Sequence, residues 1–428
     1  MGIVRLSGPA SIEIAANICS GTMPAPRHAA FRRFLDAQGE AIDEGILLVF
    51  PAPHSFTGED VVEFQGHGGP VVLDLIVQRC VTLGARVARP GEFSERAFLN
   101  DKIDLAQAEA IADLIDSGSE KAARSAFKSL QGEFSRTISS LRDKLIDVRM
   151  HIEAALDFPE EEIDFLADRN LQEKLSGVAT EVAATLRQAQ CGSLLREGLH
   201  LVIVGKPNAG KSSLLNRLAG RDAAIVTQVP GTTRDILREY IQLDGLPLHI
   251  IDTAGLRKSD DPVEREGIKR TWKAVEQADL CLLLIDDTLG FDDQDQQILD
   301  QLPDGLPVIE VYNKCDVSGR APGRFNDKIR LSAKTGVGLH ELESTLKQRA
   351  GYQGDAEGVI MARRRHVEAL QAAASAVTEA QRELRENRAG ELVAEHLRMA
   401  QQSLGSITGE FTADDLLGEI FSSFCIGK

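Results

Sequence analysis

The apolar positions along this chain change period several times, and each change marks a different kind of element. Leu199 to Val204 is a mostly apolar run, the pattern of a strand buried in a parallel sheet. "IQLDGLPLHIID" (241–252) holds two such runs about Asp244-Gly245, which predicts a hairpin turning there, its second strand ending at Asp252. "DLCLLLID" (279–286), "LPVIEVYN" (306–313) and "IRLSAK" (329–334) predict further strands. On both sides of this region the spacing becomes helical. Ile138, Leu141, Leu145, Val148 and Ile152 recur three to four residues apart, and Leu171, Leu175, Val178, Val182 and Leu186 repeat the pattern. Val367, Leu370, Ala374 and Val377, then Leu392, Val393, Leu397, Ala400 and Leu404, do the same after it.

These flanks read as one helical domain interrupted by an α/β domain, with two separate bundles as the alternative. Insertion is tolerated where the inserted fold has neighbouring termini. Pro159 in "DFPEEEID" (157–164) breaks the first set of helices. Residues 1–100 differ again. "GILLVF" and "RVARP" alternate with glycine- and proline-containing turns, which suggests an α+β domain. The expected class is multidomain α/β plus α. Its segments are 1–100, a helical part at 101–198, an α/β domain at 199–350, and a second helical part at 351–428.

Composition narrows the setting. The chain has 428 residues, enough for two or three domains, and 43% are hydrophobic. No apolar stretch is long enough to span a bilayer, and "MGIVRLSGPA" lacks the regions of a signal peptide. Six scattered cysteines without a C-x-x-C suggest reduced thiols and a cytoplasmic setting. The net charge of −17 argues against a general nucleic-acid coat, so a polyanion must dock on a local basic patch. Arg363-Arg364-Arg365 could touch an RNA backbone or form a solvated basic turn.

Gly205-Lys206-Pro207-Asn208-Ala209-Gly210-Lys211-Ser212 fits G-x-x-x-x-G-K-[ST] between a strand and a helix, the context this phosphate loop requires. Glycines let backbone N–H groups turn inward on phosphate oxygens. Lys211 offers a point charge to the β- and γ-phosphates, and the Ser212 hydroxyl is a hard ligand for Mg²⁺. Asp252 can serve the Mg²⁺ shell, and the Gly255 N–H can sense a γ-phosphate. Asn313-Lys314-Cys315-Asp316 is an N-K-x-D motif. The Asp316 carboxylate can accept from N1 and N2 of guanine, a donor pair that adenine lacks. Ser332-Ala333-Lys334 can line the base from the other side.

Together these motifs resemble the TRAFAC-class GTPases. Gly231-Thr232-Thr233-Arg234-Asp235 is then the expected first switch, with Thr233 completing the Mg²⁺ shell. After Asp252-Thr253-Ala254-Gly255, Ras-like enzymes place a water-orienting glutamine. Here Leu256 stands, which cannot orient water. Another group must do so, and either Arg257, Arg234 or a bound monovalent cation must offset transition-state charge. The Asn208 amide oxygen suits a hard cation, or it stabilises the loop. "SDDPVEREGIKR" beyond the second switch is by itself a solvated charge run.

"GPAS", "FTGEDVVEFQGHGGP", "RPGEFSERAFLNDKIDLAQAEAIADLID", "GKPNAGKSSLLN", "GTTRD", "DTAGLR", "NKCD" and "FCIGK" resemble the MnmE (TrmE) family of tRNA modification GTPases across essentially the whole chain. The resemblance implies an N-terminal tetrahydrofolate-binding and dimerisation domain, a discontinuous helical domain and an inserted Ras-like P-loop G domain. It implies a homodimer that works with a FAD-dependent MnmG-type partner. Their product is an aminomethyl or carboxymethylaminomethyl group on C5 of the tRNA wobble uridine. It also implies K⁺-dependent dimerisation of G domains. The implied K⁺ ligands are Asn208 and the Thr227, Val229 and Thr232 backbone, and the implied Mg²⁺ ligands are Ser212 and Thr233. The implied GTP site spans Asn208–Ser213, Thr227, Gln228, Val229, Pro230, Gly231, Thr232, Thr233, Asp252–Gly255, Asn313, Lys314, Asp316, Ser332, Ala333 and Lys334. Glu264 would position water, and Arg5, Glu63, Lys102 and Lys428 would hold the folate. Read alone, Glu63 and Lys102 are ordinary surface charges, and His67 has no visible partner.

Family members carry a further strand and glycine-rich turn before the segment matching "GIVRLSG". GTP hydrolysis is therefore a firmer expectation than folate binding or N-terminal dimer packing. Cys425 falls on the family's terminal C-[IVL]-G-K. Gly427-Lys428 does not fit a prenylation signal. Thr412-Ala413-Asp414-Asp415 looks like a capping box for a last helix. Just past its end the dipole disfavours a thiolate while Lys428 favours one, leaving a modest role beside folate or inert packing. Two other functions compete with the main one. One is a ribosome-assembly RNA-binding GTPase, which the terminal motif argues against. The other is a folate-dependent methyltransferase, for which residues 1–100 show no catalytic pair.

Overall fold

The computed structural model describes residues 1–157, 169–219, 238–252, 275–276, 278–352, 359–387, 389–410, 420–421 and 424. The chain divides into two packed units. One holds Met1–Ala112, Ser129–Leu166 and Glu383–Lys428, and the other Asp113–Lys128 and Ala167–Arg382.

In the first unit, β1 (Gly2–Ser7), β2 (Ala30–Leu35), β3 (Ala41–Phe50) and β4 (Val61–Gly66) form an antiparallel sheet in the order β1-β4-β3-β2. Alternate residues of the strands face α1 (Ser11–Ile18) and α2 (Pro70–Thr82), burying Ile14, Ile18, Phe34, Leu47, Phe64 and Ile76 together. The Phe34 and Phe64 rings meet edge to face at 5.3 Å, an arrangement favoured by the ring quadrupoles. "GILLVF" lies in β3 as the pattern predicts, whereas "RVARP" is irregular. Val87 there is 63% exposed, so its run lacks a buried face to hold a strand.

The helix Glu133–Asp157 packs against the helix Gly390–Thr408. Ile138, Leu141, Leu145, Val148 and Ile152 are all buried, as are Val393, Leu397, Ala400 and Leu404. Leu392 is not: it is 50% exposed, because it sits one residue off the stripe that Val393 occupies. The Arg149 guanidinium donates to Gln401 at 2.7 Å across this pair.

In the second unit, β5 (Leu199–Val204), β6 (Arg238–Leu243), β7 (Leu246–Asp252), β8 (Leu280–Asp286), β9 (Val308–Asn313), β10 (Gly323–Phe325) and β11 (Lys328–Arg330) are ordered β10-β11-β9-β8-β5-β7-β6. The central strands are parallel, and β6 and β10 run antiparallel at the edges. The turn between β6 and β7 falls at Asp244-Gly245, as the sequence predicts. Leu280 to Ile285 are all buried, which explains why β8 reads as a continuous apolar run.

The helix Arg169–Glu197 packs against the helix Arg364–Arg382. The second helix buries His366, Leu370, Ala373, Ala376, Val377 and Ala380, while Val367 and Ala374 are only half-buried. Its apolar stripe is thus rotated from the expected one, because small alanines rather than Val367 meet the neighbouring helix. Arg363 is half-buried and donates to the buried carboxylate of Asp113 at 2.9 Å, beside Arg196 at 2.8 Å. That ion pair occupies one of the three arginines considered as an RNA contact. Cys19, Cys80, Cys191, Cys281 and Cys315 are buried free thiols. Among the described residues no helix is long and apolar enough to cross a membrane.

Candidate active site

β5 lies between β7 and β8 with its carboxyl end open to the loops that follow each strand. The chain passes from β5 to one neighbour and later to the other, so its carboxyl end is a topological switch point, where open α/β sheets take ligands. Gly205–Ser212 occupies that place and leads into α3 (Lys211–Ala219). Two glycines are required sterically. Gly205 has φ +146°, and a Cβ there would stand 2.3 Å from the Leu284 carbonyl oxygen. Gly210 has φ +102°, and its Cβ would stand 2.2 Å from Asn313 Nδ2. Asn208 itself is left-handed, at φ 66°.

The loop is tied down at several points. Lys211 Nζ donates to the Gly205 and Lys206 carbonyls at 2.6 and 3.0 Å, which lays the ammonium across the loop. Lys206 Nζ meets Asp292 at 2.7 Å and the buried Asp295 at 2.9 Å. Those two carboxylates form the capping box of the helix Asp293–Leu299. Ala209 is buried, and its carbonyl accepts from Asn313 Nδ2 at 2.8 Å. The first N–H groups of α3 have no intrahelical partners and carry the positive end of its dipole, which suits a phosphate.

Asn313 ends β9, 2% exposed, and its Oδ1 accepts from the Ala333 N–H at 2.9 Å. One amide thus joins the glycine loop to the Ser332–Lys334 loop. Arg217 of α3 adds a second link, donating to the Ala333 carbonyl at 3.1 Å and to that of Lys334. Ser332 is fully buried, and its hydroxyl accepts from the Thr335 N–H at 3.2 Å. Lys314 has φ 70° and places Nζ 2.6 Å from Asp286 at the end of β8. Burial pushes the Asp286 carboxyl up, but hydrogen bonds from Lys314 and Thr288 outweigh it and hold its pKa below the usual value. Asp316 is exposed on the short helix Cys315–Ser318.

The structure therefore brings together Asn208–Ser213, Asn313, Lys314, Asp316 and Ser332–Lys334 around the carboxyl ends of β5, β9 and β11. Thr227–Thr233, Thr253–Gly255 and Glu264 lie outside the described residues, as does the Asp252 side chain. Ser212 and Asn208 are exposed, and their side chains meet no hydrogen-bonding partner among the described residues. A hydroxyl and an amide oxygen placed beside this loop fit Mg²⁺ and a monovalent cation respectively.

In the first unit, Arg5 and Glu63 face each other across β1 and β4, with Arg5 Nε donating to Glu63 at 2.8 Å. Gln65 also donates to Glu63, at 3.1 Å, so this carboxylate is a half-buried, shared acceptor rather than a loose surface charge. Arg5 lies 5.6 Å from the centre of the Phe93 ring. A cavity of about 520 Å³ opens beside them, lined in part by Arg5, Ser7, Val77, Phe93 and Arg96. Lys102 is apart from this pair and donates instead to the Pro53 carbonyl at 2.8 Å. Cys425 and Lys428 lie outside the described residues.

Sequence reasoning missed several charged groups. His67 has a partner after all: its Nδ1 is 2.7 Å from Asp43, contributed by the neighbouring strand β3. Glu92, 4% exposed, accepts from Arg86, Arg96 and the Arg89 N–H. The i,i+4 spacing of Glu92 and Arg96 is a local sequence signal of that pairing.

The similarities of the chain match this geometry. Residues 1–102 match the family of the GTP-binding protein TrmE N-terminus, and residues 105–425 match the MnmE helical domain. A tRNA modification GTPase MnmE of Pectobacterium carotovorum is 56% identical, covering 100% of this chain and 96% of its own length. That of Thiobacillus denitrificans is 58% identical, covering 100% and 95%. Among solved structures, Aquifex aeolicus Era bound to GDP·AlF4⁻ is 26% identical over 41% of this chain and 66% of its own, with a TM-score of 0.29. With a P-loop joined to an N-K-x-D turn, and end-to-end similarity at this level, the chain belongs to the MnmE family of tRNA modification GTPases.

Proposed function

We propose that this GTPase acts with a FAD-dependent MnmG-type partner to install the aminomethyl or carboxymethylaminomethyl group on C5 of the tRNA wobble uridine. The observation that carries the reading is the full-length similarity to tRNA modification GTPases, which spans both the N-terminal and helical family segments. GTP is held by the loop Asn208–Ser213 and by Asn313, Lys314, Asp316 and Ser332–Lys334. Ser212 and Thr233 hold Mg²⁺, within an α/β domain at 199–350.

By the family resemblance, Glu264 positions the water that Leu256 cannot orient. Asn208, with the Thr227, Val229 and Thr232 backbone, holds a potassium ion. A cation there supplies positive charge against the charge that develops on the phosphates, the work of an arginine finger elsewhere. The exposed amide of Asn208 beside the phosphate loop supports this assignment. Hydrolysis is coupled to dimerisation of the G domains in a cytoplasmic homodimer. In the N-terminal segment, Arg5, Glu63, Lys102 and Lys428 hold a tetrahydrofolate one-carbon donor, and Cys425 lies near it. The Arg5–Glu63 pair on adjacent strands is consistent with that reading.

Mass spectrometry of wobble nucleosides from cells lacking this chain tests the proposal. The C5-modified uridines should disappear and return on complementation. Unchanged nucleosides, with the chain found on ribosomal particles, would favour a role in ribosome assembly instead.

A further inference from the structure

The two base-side loops do not touch only each other. They also share a carboxylate that no motif names. Asp287 follows β8 and is 0% exposed. Its N–H donates to the Asn313 carbonyl at 2.8 Å, which ties it to the start of the N-K-C-D turn. One carboxylate oxygen accepts from the Ser318 hydroxyl at the end of the short helix that carries Asp316. The other accepts from Arg330 at 3.1 Å and Arg320 at 3.3 Å. Arg330 lies two residues before Ser332 and is stacked 4.3 Å over the Phe325 ring, so its position is fixed from both sides. The backbone repeats the link, since Cys315 N–H donates to the Leu331 carbonyl at 3.2 Å.

We propose that Asp287 is a positioning residue for base recognition. Its buried carboxylate holds the Asp316 turn and the Ser332–Lys334 loop at one fixed separation, and so sets how tightly and selectively guanine is gripped. This rests on the reading that those two loops bracket the base. A buried charge is retained at low cost only when its partners satisfy it, and here two guanidiniums and a hydroxyl do so. Removing the charge loosens both loops at once, because the same group braces each, while the Cys315–Leu331 and Asn313–Ala333 bonds keep them folded. Burial alone pushes the Asp287 carboxyl up, yet Ser318 and Arg330 pull it below the usual range, so the anion is the form that holds the loops.

The test measures release of fluorescent GDP from the full chain, together with the preference for GTP over ITP. Inosine lacks the exocyclic amine that a carboxylate at Asp316 would accept from. Asp287→Asn should release GDP at least tenfold faster and lower the GTP preference several-fold. Ser318→Ala removes one arm only and should speed release about threefold to fivefold. Should Asp287→Asn fail to fold, the Ser318→Ala rate decides the matter. Asp316→Asn tests the underlying base reading separately, by moving preference from guanine toward xanthine nucleotides. If that shift occurs while Asp287→Asn, or Ser318→Ala in its place, keeps wild-type release and preference, the positioning role is wrong and the base reading stands.

Discussion

Asn313 Nδ2 donates to the Ala209 carbonyl at 2.8 Å, so the last residue of β9 holds the phosphate loop that follows β5. Its other end accepts from Ala333, and both bonds are buried. Asn313→Ala would strand a buried carbonyl and a buried N–H, at about 1–3 kcal/mol each. GDP affinity should fall by ~10- to 1000-fold, since the loops at phosphate and base lose their common tether. Titration with fluorescent GDP checks this, and an unchanged affinity would remove Asn313 from the site.

Gly210→Ala should be as damaging for a different reason. The new Cβ would meet Asn313 Nδ2 at 2.2 Å, and φ +102° is a strained backbone for alanine. A loss of nucleotide binding that exceeds the loss of thermal stability is the expected signature, read by calorimetry and GDP titration on one sample.

Burial pushes the Cys19, Cys80 and Cys281 thiols up to about 12, mainly by desolvating the thiolate. In the folded chain at pH 8, iodoacetamide should leave all three unmodified over an hour, and denaturant should expose them. Peptide mass spectrometry would detect the labelling. Rapid native labelling of any of the three would contradict their burial.

Glu92 titrates in the opposite direction. The hydrogen bond from Arg86, helped by Arg89 and Arg96, holds its pKa at about 2 against an ordinary 4.5. A folded-state pKa below the unfolded one contributes stability that is present above the unfolded value and lost as pH falls toward the folded one. Allowing for the exposure of Arg86, the contribution is of order 1–3 kcal/mol. The urea midpoint should therefore fall as pH drops from about 4.5 to 2, and Glu92→Gln should flatten that part of the profile. An unaltered profile in the variant would assign the acid sensitivity elsewhere.

The local signals that carried furthest were those with a steric or periodic cause. The β5 run, the glycine loop, the Asp244-Gly245 turn and the stripe from Ile138 to Ile152 all follow from burial or backbone freedom within a few residues. Where tertiary context decided, the sequence was silent. Nothing near Asp287 foretells its arginines, which arrive from 33 and 43 residues away through the return of β10 and β11. His67 and Asp43, 24 residues apart, meet only because β3 and β4 pair in register. Likewise Leu392 and Val393 read as equals, and helix rotation chose between them.

The monovalent cation proposed at Asn208 would supply the positive charge that an arginine finger supplies elsewhere. GTP turnover by the purified chain, in potassium and in sodium at equal ionic strength, tests it most directly. Turnover should be at least ~10-fold faster in potassium, well under the roughly 10³–10⁵ that an arginine finger contributes, with that advantage lost in Asn208→Ala. Equal rates in the two salts would contradict it.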